Sequence, residues 1–173
     1  MKFPFKPIGI IHSPFKKTED IDARKFSDRR GFDPIEGEIE IFKEYAEGLK
    51  DTEGFSHLIL IYVFHRSEGY RLLTKPFLDN KLRGVFSTRS PHRPNPLGLT
   101  VVKILERSGP ILRVSGIDMI DGTPILDIKP YTPRDQKSPI RLGWLEDKMR
   151  QSRKELRPRP FKIVKIKKQA QGK

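Results

Sequence analysis

Residues 38–42, Glu-Ile-Glu-Ile-Phe, alternate polar and apolar with period two, the mark of a strand with one wet face. Residues 5–11 read as an earlier strand, ended by His12-Ser13-Pro14. Residues 56–64 are apolar almost throughout and rich in β-branched and aromatic side chains, which predicts a strand covered on both faces. Further strands are predicted over 83–88, 99–105, 111–117 and 124–129, the third pairing with the second across Ser108-Gly109-Pro110. Residues 16–35 are polar, show no period and predict a long loop. Before residue 138 the pattern offers one short helix, over 44–49. Strands that do not alternate with long helices argue against a doubly wound parallel sheet. The fold expected is mainly β, a mostly antiparallel β-barrel with a few short helices.

After Pro139 the pattern changes. Residues 142–156 predict a helix with Leu142, Leu145, Met149 and Leu156 on one face, and 161–166 predict an edge strand. The chain therefore divides into a barrel domain, 1–137, and a basic C-terminal extension, 138–173.

Composition sharpens this. With 173 residues, 35% of them hydrophobic, the chain can bury a core of ordinary size. The net charge is +13, of which residues 1–133 hold +3 and residues 134–173 hold +10. Such an excess points to a polyanion, because Lys and Arg displace the counterions condensed on phosphates. A solvated tail, or one that meets an anionic membrane surface, is the alternative. There is no cysteine, which excludes disulfides, thiolate nucleophiles and sulfur-based zinc sites. Four histidines without HxH or HExxH spacing make a metal site unexpected. No apolar run reaches the roughly 18 to 20 residues of a membrane helix, and Met1-Lys2-Phe3-Pro4 lacks a leader's apolar stretch; the expected location is the cytoplasm.

Three stretches hold candidate chemistry. In Ser90-Pro91-His92-Arg93-Pro94-Asn95-Pro96, three prolines fix φ near −65° and stiffen a loop, so that Arg89, His92 and Arg93 are placed before a ligand arrives. Arg suits phosphate and carboxylate through its planar fork. The bland alternative is a barrel corner with solvated arginines. In 118–131, Asp121-Gly122 signals a turn, and the flanking strands are expected to carry Asp118 and Asp127 towards one end of the barrel. There they would accept from hydroxyl or ammonium groups, unless Asp121 merely bonds its own backbone. His65-Arg66 closes the apolar strand and either lines a cleft or marks its return to water. No Walker A, GxGxxG or GxSxG sequence occurs.

Taken together, five segments resemble the TsaA-like family, also called TrmO. They are Ile8-Gly9-Ile10-Ile11-His12-Ser13-Pro14-Phe15; Gly54-Phe55-Ser56-His57-Leu58; Gly84-Val85-Phe86-Ser87-Thr88-Arg89-Ser90; Arg93-Pro94-Asn95-Pro96-Leu97-Gly98; and Asp121-Gly122-Thr123-Pro124 through Asp127-Ile128-Lys129-Pro130-Tyr131. They stand in the family's order over roughly residues 5–133. The resemblance implies a non-Rossmann β-barrel that binds S-adenosyl-L-methionine, commonly as a homodimer. It further implies methylation of N6 in N6-threonylcarbamoyladenosine at position 37 of tRNA. Carried over by position, the cofactor site includes His65, Arg66, Arg89, Leu99, Met119, Ile120, Asp121 and Gly122, with Arg24, Phe26, Ser27 and Asp28. At the last group the family reads close to Pro-Arg-Gln-Pro-Gly, whereas this chain has Ala23-Arg24-Lys25-Phe26-Ser27, so only Arg24 matches.

The chemistry can be reasoned separately. Methyl transfer from a sulfonium is an in-line displacement, for which positioning matters most. An N6 bearing a carbonyl substituent is a poor nucleophile while neutral, so proton removal is the natural activation. Asp127, Tyr131 and His92 are candidate bases, of which the first two are preferred. Arg93 and Lys129 are candidates for the substrate, and Arg89 or Arg93 for a threonyl carboxylate. Two rival readings remain: a non-catalytic RNA-binding barrel, and a methyltransferase that uses the same cofactor on a small molecule.

Overall fold

Alternation decides the architecture. The computed structural model describes residues 3–21, 32–77 and 79–155. Its strands are β1 (Gly9–His12), β2 (Glu36–Ile41), β3 (His57–Val63), β4 (Leu73–Thr74), β5 (Arg83–Gly84), β6 (Leu97–Ser108), β7 (Ile111–Ser115) and β8 (Pro124–Pro130). Six of them form a closed antiparallel barrel in the order β1-β2-β7-β6-β3-β8, and β8 returns to β1 through the pairs Gly9↔Ile125 and Ile10↔Pro124. β4 and β5 make a separate two-stranded ribbon within the excursion between β3 and β6.

The inward positions are those that period two selects. Ile11, Ile39, Ile41, Leu58, Leu60, Tyr62, Val102, Leu112, Val114 and Ile125 are buried in one core with Leu49, Ile117 and Met119. Burying each such side chain contributes roughly 1.5–3 kcal/mol. β3 differs from the expectation of two covered faces: Leu58, Leu60 and Tyr62 are buried, while Ile59, Ile61 and Val63 are only half-buried on the outer wall. Across β6, Leu97, Leu99 and Val101 stand opposite Val63, Ile61 and Ile59 on that same wall, and all three are exposed.

Other boundaries differ for local reasons. β1 begins only at Gly9, since Pro4 and Pro7 have no N–H for a ladder. The strand expected over 83–88 is two residues of β5 followed by a 3-10 turn, Val85–Ser87, which buries Val85 and leaves Phe86 outside. The expected helix at 44–49 is a 3-10 segment, Lys43–Leu49. β8 shifts register between Ile61 and Tyr62 of β3, so that Tyr62 faces Ile125 while Ile61 faces Asp127. This bulge lets Ile125 and Ile128, three positions apart, both pack towards the core.

The chain separates into two units, Met1–Ile140 and Arg141–Lys173. Among the described residues of the second there is one helix, α1 (Leu145–Glu155), with an Arg150–Glu146 ion pair of 2.7 Å along its surface. The strand expected at 161–166 lies outside the described residues, as do Leu156 and the loop with Arg24, Phe26, Ser27 and Asp28.

Candidate functional site

Because β1, β3, β6 and β8 pair antiparallel, the ends of β1 and β3 meet the beginnings of β6 and β8 at one mouth of the barrel. This mouth collects most of the residues singled out from the sequence. The turn at 118–122 is fastened to the residues that follow β1. Asp121 Oδ1 accepts from the Ser13 amide at 3.0 Å, and Asp121 Oδ2 meets Lys16 Nζ at 3.0 Å. The Asp121 amide donates to the Phe15 carbonyl and that of Gly122 to Ile11, at 2.7 and 2.9 Å. Gly122 has φ +74°, which favours glycine there. The Ser13 amide, followed by Lys16, holds the Asp121 carboxyl below its usual range.

Arg66 leaves the end of β3 and donates from Nη1 to the Lys16 carbonyl at 2.9 Å. His65 beside it is held below the ordinary imidazole value, by partial burial first and by the Arg66 charge second. Arg89 donates from Nη1 to the Leu99 carbonyl at 3.1 Å, which ties the proline-stiffened loop to the start of β6. Arg93 turns inward on that loop and donates to the Thr88 and Ser90 carbonyls at 3.3 and 3.5 Å. It braces the loop that presents Arg89.

A polar chain that the sequence pattern did not reveal lies beneath. Thr100 Oγ1 donates to Asp118 Oδ1 at 2.6 Å, and the Tyr62 hydroxyl lies 3.2 Å from Thr100 Oγ1 and 3.4 Å from the same carboxylate oxygen. Burial pushes the Asp118 carboxyl up, against the pull of Thr100 and of the Arg89 charge. Burial, then the Asp118 charge, likewise raises the Tyr62 phenol. The signal that could have found it is that Tyr62 and Thr100 occupy inward phases of apolar strands. A Cβ on Gly98 would lie 2.2 Å from the Tyr62 ring, so that glycine makes room for the phenol.

Met119 is buried in the core, so its side chain packs rather than lines a site; Ile120 is half-buried. Asp127 and Tyr131 do not join the mouth. The β8 bulge turns Asp127 to the outer wall opposite Ile61, where it pairs with Lys129 at 2.6 Å and accepts from the Ile128 amide at 2.9 Å. Asp118 and Asp127 do reach the same end, since Ile61, opposite Asp127, lies one position nearer that end than Leu60, opposite Thr100; the bulge sets them on different faces of the wall. Tyr131 lies at the far end of β3: its amide donates to the His57 carbonyl at 3.1 Å, and its ring meets the His57 ring edge-on at 6.2 Å. The seven residues of β3 place it about 20 Å from Arg66. Across the wall, however, Leu99, Ile61 and Asp127 form one row over β6, β3 and β8. His92 Nδ1 lies 2.9 Å from Ser67 Oγ, a contact between the proline loop and the turn that follows β3.

Residues 10–136 match the family model for the tRNA-methyltransferase O N-terminal domain. The chain belongs to the TrmO family. A probable S-adenosyl-L-methionine-binding protein of Pyrococcus abyssi is 51% identical over 143 residues, which is 82% of this chain and 76% of that protein. The tRNA (adenine(37)-N6)-methyltransferase of Escherichia coli is 36% identical over 147 residues, covering 79% of this chain and 61% of the relative. The crystal structure of TrmO from Pseudomonas aeruginosa superposes with a TM-score of 0.67 at 33% identity, over 83% of this chain and 63% of that one. This TrmO-family chain thus spans under two thirds of the length of those last two proteins. Among its described residues no group of His, Asp and Glu has the arrangement of a metal site, and no helix is long and apolar enough to cross a membrane.

Proposed function

We propose that this chain is an S-adenosyl-L-methionine-dependent methyltransferase acting on N6 of N6-threonylcarbamoyladenosine at position 37 of tRNA, in the cytoplasm. The observation that carries the reading is the family match over 10–136, which contains every residue of the cationic mouth. The donor set suits the cofactor. Arg66 and Arg89 each spend an N–H on one backbone carbonyl, leaving guanidinium edges for a carboxylate. Exposed Leu99 beside Arg89 offers an apolar surface of the kind an adenine ring covers. His65, Ile120 and the Asp121-Gly122 backbone complete the rim. When bound, the cofactor supplies an electrophilic methyl group.

The chain's own part is to hold and to deprotonate. Arg89, fixed by Leu99 and facing the buried Asp118, keeps its position without reorganising. Asp127 is the acceptor for the N6 proton. Lys129, paired with it, and Arg93 are the candidate cations for the threonyl carboxylate. Since Asp127 sits on the outer wall, the site is completed when two copies pair there. The uncharged exposed row Leu97, Leu99 and Val101 supports such a homodimer.

Mass spectrometry of nucleosides from tRNA incubated with the protein and cofactor tests the reading. The expected product is N6-threonylcarbamoyladenosine heavier by one methyl group. Binding of tRNA without transfer would leave the non-catalytic module, and cofactor turnover only with small acceptors would leave the small-molecule enzyme.

A further inference from the structure

The excursion between β3 and β6 exposes more large apolar surface than a solvated loop has reason to. Phe77 and Phe86 are 77% and 76% exposed, and Tyr70, Leu72, Leu73 and Leu82 are each more than half exposed. Charge is laced through the same stretch. Residues 66–93 contain seven basic side chains and two acidic ones, whereas the rest of 1–133 is slightly acidic. One of the two acids, Asp79, is buried and closed off by Arg83 at 2.6 Å.

The excursion is also held in place. Leu73 pairs with Gly84 and Thr74 with Arg83 across the β4–β5 ribbon, and the Val85 amide donates to the Leu72 carbonyl at 2.9 Å. Buried Val85 pins the turn that shows Phe86 to solvent. The Arg71 amide donates to the His92 carbonyl at 3.2 Å and Ser67 Oγ to the Pro91 carbonyl at 3.0 Å. The ribbon and the loop bearing Arg89 are therefore fastened together.

Two kinds of apolar surface are thus on view. The outer wall of β6 shows Leu97, Leu99 and Val101 with no charge among them, which fits a second copy, since interface cores are depleted of lysine. The excursion mixes aromatic rings with Lys and Arg, which fits a single-stranded polyanion whose bases have faces to stack. We infer that the excursion 66–87 is the platform on which unpaired bases of the tRNA anticodon loop stack, with Phe77 and Phe86 as stacking rings and Lys75 and Lys81 on the phosphates. This rests on the tRNA reading proposed above. It places the base-reading surface on the barrel domain and leaves the basic extension for the backbone of the stem.

The test uses the full chain with Phe77→Ala, Phe86→Ala, their combination, and Lys75→Glu/Lys81→Glu. The probes are a fluorescent anticodon stem-loop RNA and a fully paired duplex of the same length. Each Phe→Ala change should weaken stem-loop binding about tenfold and leave duplex binding unaltered. The lysine reversals should lower the salt dependence of log affinity by about 0.7 for each phosphate no longer neutralised. Calorimetric affinity for S-adenosyl-L-methionine, sedimentation and circular dichroism should match the parent. If the parent methylates tRNA while the Phe variants bind the stem-loop equally well, the proposed activity stands and this surface falls. If the variants become monomers, the excursion is a contact between copies and the inference is overturned. If the parent neither binds the stem-loop nor methylates tRNA, both readings fail.

Discussion

Thr100 donates a 2.6 Å hydrogen bond to Asp118 from the neighbouring strand end, and it is the shortest tie in a buried polar chain that reaches Tyr62. Removing the donor while keeping the shape should therefore cost more than a surface bond. Thr100→Val is expected to destabilise the protein by about 1–3 kcal/mol in urea titrations, because the buried carboxyl loses its short donor and keeps only the longer one from Tyr62.

The same carboxyl gives a pH signature. Burial raises the Asp118 value in the folded state above its unfolded value, so the native protein holds this proton more tightly. The associated stability is full below about pH 3.9, the unfolded value, and is lost as pH rises towards the folded one. Urea midpoints of the parent should fall across that window relative to Asp118→Asn, in which the group cannot ionise. A constant difference between pH 3 and 7 would contradict the assignment.

Asp121 behaves in the opposite sense. The Ser13 amide lowers its folded value, so its contribution is present above about pH 3.9 and fades as acid protonates it. Asp121→Ala should cost about 1 kcal/mol near neutrality, since water reaches the pair with Lys16, and the cost should shrink in acid. Cofactor affinity should fall as well, because the turn that offers the Asp121-Gly122 backbone is loosened. The readouts are urea melts and calorimetry on one preparation.

Gly98 and Tyr62 should prove coupled. Gly98→Ala forces a methyl against the ring and is expected to cost about 1–3 kcal/mol. In a Tyr62→Leu background the penalty should largely vanish, and a double-mutant cycle on thermal unfolding reads the difference.

Arg89→Ala should abolish most cofactor affinity without moving the melting temperature, since its described bond is an exposed one to the Leu99 carbonyl. Val101→Arg, on the uncharged wall, should give a monomer by sedimentation and lose methyl transfer. A variant dimer with parent activity would place the interface elsewhere.

The alternation of β2, β3, β6 and β7 made the core legible, because an inward phase has to be apolar wherever a barrel closes on it. The cationic mouth was legible in outline, since His65-Arg66 and the proline loop stand at strand ends. The end of the barrel that Asp127 reaches was legible, but its outward face was not, because a bulge breaks the parity that alternation counts and nothing in Ile125-Leu126-Asp127 announces it. Residues 83–88 looked like a strand because Val85 and Phe86 favour one, yet the backbone turns there, burying the first side chain and exposing the second. The Tyr62–Thr100–Asp118 chain was hidden because it joins residues distant in sequence.

The barrel closes on β1, a strand of four residues whose partners are β2 and β8. During synthesis Gly9 precedes Ile125, which it faces across the seam, by most of the length of the barrel. Until Ile125 follows, the edge of β1 that pairs with β8 in the finished barrel lacks its ladder partner. Closure of the seam is thus a late, long-range event that slows folding relative to the local β6–β7 hairpin. Substitutions that weaken β1 should show themselves first as aggregation during expression, before they alter the finished protein.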